Sequence, residues 1–100
     1  MVRHIVMFKL LPSRTGEEKK KAAETVRNEL LSLKKKIPEL TDFNVEINFN
    51  PDPDAFDLVL NSSFSSKEAL YTYQLHPDHQ AFKTFNKNYS EKKAIVDYEY

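Results

Sequence analysis

Four stretches of this chain alternate apolar and polar residues, and two stretches set among them repeat every three to four residues. The order of those periods constrains the fold more than any motif does. Val2 to Leu10 opens the chain, with His4, Val6, Phe8 and Leu10 on one face and Arg3, Ile5, Met7 and Lys9 on the other. Both faces are apolar mid-strand, as expected of a central strand covered on two sides. Thr15 and Glu18 then have the spacing of a capping box, in which a hydroxyl and a carboxylate satisfy free helix-end amides. Ala23, Val26, Leu30, Leu33 and Ile37 form one helical stripe, which Pro38 ends near Lys36. The acidic start and the Lys34-Lys35-Lys36 finish complement the helix dipole, so the lysine run reads as a solvated helix face.

Phe43, Val45, Ile47 and Phe49 alternate with Asn44, Glu46 and Asn48 in a second strand, and Asn50-Pro51-Asp52-Pro53-Asp54 supplies a turn. A third strand runs from Phe56 to Phe64, so the pair is expected to be an antiparallel hairpin. Ser65 and Glu68 repeat the capping-box spacing and open a helix through Leu70 and Tyr73. His76-Pro77 interrupts it. Proline suits a first helical turn, so a new segment carrying His79, Phe82 and Phe85 is expected to start there. Ala94, Val96, Tyr98 and Tyr100 alternate with Ile95, Asp97 and Glu99 in the closing strand. The order β-α-β-β-α-β is the α+β, ferredoxin-like arrangement, and two helices cover only one face of its sheet. The other face is expected to hold Ile5, Met7, Val59 and Ile95 among Asn44, Glu46 and Asn61. A half-apolar exposed sheet of this kind is a candidate interface for a homodimer packed sheet against sheet.

A chain of 100 residues, 40% of them hydrophobic, suits a single domain over residues 1–100 with a modest core. Fifteen basic and 15 acidic side chains give no net charge, against the basic excess of a nucleic-acid binder. No apolar run approaches the roughly 20 residues that span a bilayer, and the N-terminus lacks the layout of a signal peptide. Without cysteine there is no thiol or disulfide chemistry, and a cytoplasmic location is expected. The one glycine, Gly16, excludes glycine-rich dinucleotide and phosphate loops.

The chain's three histidines are its best source of neutral-pH proton chemistry, and two of them fall in Tyr73-Gln74-Leu75-His76-Pro77-Asp78-His79. On an unbroken helix Tyr73 and His79 would lie on different faces; the break at Pro77 lets the second segment turn His79 back toward the sheet. Two readings follow. His79 is a base and Tyr73 a hydrogen-bond donor to a developing enolate, or His79 is a buried residue holding a loop and Tyr73 is half-buried core. His4, on an apolar strand face, reads as a satisfied core residue, or as a ligand contact if a pocket lies there. His76 sits where a helix cap is expected. His76 and His79 lack a third nearby ligand, so no metal site is expected.

Beyond period and composition, Val2-Arg3-His4-Ile5-Val6-Met7-Phe8-Lys9, the hairpin, Tyr73-Gln-Leu-His76-Pro77-Asp78-His79-Gln-Ala-Phe82 and Val96-Asp97-Tyr98 together resemble the stress-responsive dimeric α/β-barrel family, Dabb. The resemblance covers nearly the whole chain. It implies a homodimer whose two four-stranded sheets face each other as an α+β barrel. One plant branch of the family cyclises polyketides in a pocket between helices and sheet; its base matches His79, its tyrosine Tyr73 and its strand histidine His4. The sequence thus leads to a binding site for a small, largely apolar or aromatic ligand at His4, Val6, Phe8 and Phe82, with His79 and Tyr73 as candidate catalytic residues and no cofactor. Cofactor-free cyclase- or lyase-like chemistry stands beside a non-enzymatic, stress-responsive role in which the stable dimer is structural. Barrel monooxygenases and haem-degrading proteins share the fold, but the chain has no tryptophan and no evident haem-ligand context.

Overall fold

The computed structural model describes every residue from Met1 to Tyr100. Its elements follow the order of periods: β1 (Val2–Leu10), α1 (Gly16–Lys36), β2 (Asp42–Ile47), β3 (Leu58–Phe64), α2 (Lys67–Leu75), α3 (Pro77–Asn86) and β4 (Ser90–Glu99). The sheet is antiparallel with the order β2-β3-β1-β4, and β1 pairs with both β3 and β4. Only the face of β1 with His4, Val6 and Phe8 is buried under the helices; the face with Arg3, Ile5 and Met7 is left open in the single chain. No helix is long and apolar enough to cross a membrane.

Thr15 caps α1, its hydroxyl accepting from the Glu18 amide at 3.1 Å. The reciprocal carboxylate bond reaches one residue farther back, to the Arg14 amide at 3.1 Å. Val26, Leu30, Leu33 and Ile37 are at most 2% exposed against the sheet, each contributing about 1.5–3 kcal/mol of burial.

Four expectations need correction. First, β2 ends at Ile47, and Phe49 is 98% exposed. The cause is a run of side-chain turns: the carbonyls of Asn48 and Asn50 and the Asp52 carboxylate each accept from the amide two residues on, at 2.9, 3.0 and 2.8 Å. These bonds replace the ladder that alternation alone would extend. Second, Phe56 precedes β3, which begins at Leu58. Third, the cap of α2 is Ser66, whose hydroxyl accepts from the Ala69 amide at 3.1 Å, and not Ser65. Fourth, Ile95 lies on the helix side of the sheet, because the register sets it opposite Val6. Its alternation partners Ala94, Val96 and Tyr98 join Arg3, Ile5 and Met7 on the open face. An edge strand is exposed on both sides, so hydropathy cannot choose its face and only register does.

Arg3 organises the open face. It donates to Asn61 at 3.1 Å and lies 5.1 Å from the Tyr100 ring centre, while the Tyr100 and Ser63 hydroxyls share a bond of 3.0 Å.

Candidate functional site

His76 makes the break that shapes the site. Its amide closes α2 onto the Tyr73 carbonyl at 3.1 Å, and its Nδ1 accepts from the Asp78 amide at 3.1 Å to cap α3. Pro77 fills the first helical position, where a missing amide costs nothing. The chain therefore changes direction, and His79 comes back over Tyr73. Their rings meet edge to face, with centroids 4.6 Å apart at 64°.

His79 donates from Nδ1 to the Gln74 carbonyl at 3.0 Å, since a carbonyl can only accept. In the neutral ring Nε2 then carries the lone pair. Burial pushes the His79 pKa down to about 4, helped by the charges of Lys83, Lys93 and His4 and opposed by the Gln74 bond. The imidazole is thus neutral near pH 7 and available as an acceptor.

Tyr73 is 2% exposed and sits among Phe64, Phe43 and His4, with ring centroids at 5.3, 6.2 and 6.4 Å. Its hydroxyl is buried without any hydrogen-bond partner in the chain. Burial raises the phenol's pKa well above its ordinary value, so it stays a protonated donor. A buried hydroxyl left unmade costs about 1–3 kcal/mol, which makes this atom the most conspicuous expense in the interior.

His4 is 3% exposed, and its Nδ1 bonds the carboxylate of Asp97, directly opposite in the β1–β4 register. That bond fixes the tautomer and leaves Nε2 as the ring's other contact atom. The backbone below is pinned by Ser62, whose hydroxyl donates to the His4 carbonyl at 3.1 Å.

These groups border a cavity of about 530 Å³ between the helices and the β1–β4 side of the sheet. Its walls include all six residues singled out from the sequence: His4, Val6, Phe8, Tyr73, His79 and Phe82. Phe8 and Phe82 meet edge to face at 6.1 Å. His76 is not among the walls and serves as the cap. Sequence reasoning missed Asp97, Leu60, Ile95 and Asn86, along with Lys83 and Lys93 at the rim. Each is placed by cross-strand register or by the α3–β4 return, where Ser90 donates to Asn86 at 2.8 Å, and no local motif marks them. Chemically, the arrangement offers a neutral imidazole acceptor beside a phenol donor at the edge of an apolar chamber, within the usual 300–1,000 Å³ for small-molecule sites.

Comparison with known proteins adds a family and a fold. The model of the stress responsive A/B barrel domain matches residues 2–100. An uncharacterized protein of Streptomyces coelicolor is 31% identical over 102 residues, covering 100% of both chains. A dimeric protein of unknown function and ferredoxin-like fold from Bacteroides fragilis is 31% identical with a TM-score of 0.84, covering 99% of this chain and 95% of that one. The hydroxynitrile lyase from Passiflora edulis matches with a TM-score of 0.78 at 20% identity, covering 97% and 90%. At that identity it shows the shared fold alone.

Proposed function

This chain belongs to the Dabb family, the stress responsive A/B barrel domains, and from that premise we propose that it is a homodimer whose cavity binds a small, largely apolar ligand. In the same proposal His79 and Tyr73 act on that ligand as an acid–base pair. The observation that carries the reading is the Tyr73 hydroxyl: buried, unpartnered, and in ring contact with a neutral His79 at the cavity wall. A bound carbonyl or hydroxyl oxygen would give this donor its missing partner once the surrounding side chains shift to open the enclosed hydroxyl to the cavity. His79 Nε2 would take the proton from an adjacent carbon acid or hydroxyl, and the Tyr73 hydroxyl would stabilise the oxyanion that forms. His4, steadied by Asp97, would hydrogen-bond a second polar atom of the ligand. That a hydroxynitrile lyase is built on this fold is compatible with such chemistry here, but the reading rests on these side chains.

Support for the dimer is the open sheet face, where Met7, Val96, Tyr98 and Tyr100 are 36–58% exposed, and the dimeric state of the Bacteroides relative.

A second reading draws on the Gln74–His79 bond, which ties the end of α2 to α3. Here the histidine is structural and the stable dimer is itself the function. Substitution separates the two. Titrating a panel of alkyl phenols and polyketide-like fragments by calorimetry, with turnover followed by product chromatography, should give binding that His79→Ala and Tyr73→Phe weaken at least about tenfold. If both variants bind and turn over the panel unchanged, or no fragment binds at all, the structural reading replaces it.

A further inference from the structure

The rim of the cavity has a charge pattern the chain as a whole lacks. Lys83 comes from α3, Lys87 from its C-cap, Lys92 and Lys93 from β4, and all four are at the border of the same opening, joined there by one acid, Glu91. No salt bridge engages any of the four; the lysines that are paired are Lys19 with Asp57 and Lys67 with Glu99. Lys92 instead lies 5.5 Å from the Phe56 ring centre. A run of lysines along one helix is ordinarily a solvated face. Lys83 and Lys93 come to the opening from two elements: the register that sets Phe8 opposite Lys93 turns Lys93 to the helix side, the side of His4 and Val6, whereas Lys92, opposite Lys9, turns to the open face.

Like charges gathered at an apolar chamber repel each other and focus a positive potential into it. The effects are visible in the neighbours. Lys93 is held below its ordinary pKa, first by desolvation and then by Lys83, and Lys83 and Lys93 both push on His79. An anion seated between Lys83 and Lys93 would offset the positive charge that acts on Lys93 and His79.

We propose that the ligand of this cavity carries one compact anionic group, a carboxylate or a phosphate, held between Lys83 and Lys93, with its apolar body running inward against Phe8 and Phe82. The inference rests on the ligand-binding reading above and narrows it to amphiphilic anions. It also gives the lysines a part in the acid–base pair: an anion beside them would remove their push on His79, while burial, the larger cause, continues to hold the imidazole neutral.

Calorimetry with three matched probes tests it: 6-phenylhexanoate, 6-phenylhexanamide and 6-phenylhexyl phosphate. The two anions should bind about tenfold or more tighter than the amide, and that preference should shrink as salt rises. Lys93→Met and Lys83→Met, on separate elements, should each reduce the preference, while Lys35→Met on the exposed side of α1 should leave it intact. The order of the two anions then tells carboxylate from phosphate. If the amide binds as well as the acids while the His79 ring signals respond, the cavity reading stands and the anion inference falls. A preference that survives both Lys83→Met and Lys93→Met also overturns it. If no probe binds and His79 is silent, both readings fall together.

Discussion

The helix-covered side of the sheet has two halves built by different rules. Under α1, an uninterrupted helix lays Val26, Leu33 and Ile37 over Phe43, Val45 and Leu58, all 2% exposed or less. Under α2 and α3 the helix is broken at Pro77, and the same layer holds His4, Tyr73, His79 and Asn86 around open space. Ile95, on that same sheet face at the β4 edge, remains 48% exposed. The first half is a sealed apolar core, and the second spends stability on buried polar groups. What differs is helix continuity. A straight helix closes over a strand pair, whereas a proline-started segment swings a histidine inward and leaves a chamber beside it.

The contrast is sharpest in substitutions that remove equivalent groups from each half. Leu33→Ala, in the sealed half, should cost about 2–5 kcal/mol in urea unfolding. Ile95→Ala, at the open end, should cost less than about 1 kcal/mol in the same experiment. Equal losses would erase the distinction.

Acid should act on the open half first. His79 has a folded pKa of about 4, below the value of about 6.5 expected in the unfolded chain. The unfolded state therefore binds the proton first as pH falls. The stability His79 contributes is full above about pH 6.5 and is lost progressively toward 4. Its partial exposure reduces that loss to about 1–2 kcal/mol. Unfolding curves across this range should fall more steeply for the wild type than for His79→Gln, and parallel curves would remove His79 from the account.

The smallest effect concerns the entry to the open half. Ser66→Ala should cost about 1 kcal/mol through loss of the α2 cap, and Ser65→Ala close to nothing. The reverse order would return the helix start to Ser65.

Much of this was legible in the sequence, and unevenly between the halves. Period alone located the α1 stripe down to Ile37, because a sealed face leaves an unbroken apolar record. The helix break was legible as well, since His76-Pro77 carries its own stop and start chemistry. Phe49 misled because successive Asn and Asp turns captured the backbone where alternation continued by coincidence. Ile95, Asp97 and Lys93 escaped for a different reason. Their side of the sheet is set by the β1–β4 register, a long-range property of an edge strand whose own hydropathy is indifferent to which face is which. The part of the cavity wall carried by β1 and the broken helix was thus readable, and the part set by β4 and by the rim was not.

The most direct test of the account is an NMR titration of the His79 ring, performed on the wild type and on Tyr73→Phe with and without an alkyl phenol from the panel. The account predicts a ring that titrates near pH 4 without the phenol, shifts on its addition in the wild type, and responds more weakly once the Tyr73 hydroxyl is gone. A His79 that titrates near its ordinary value of about 6.5 and ignores every member of the panel would contradict it.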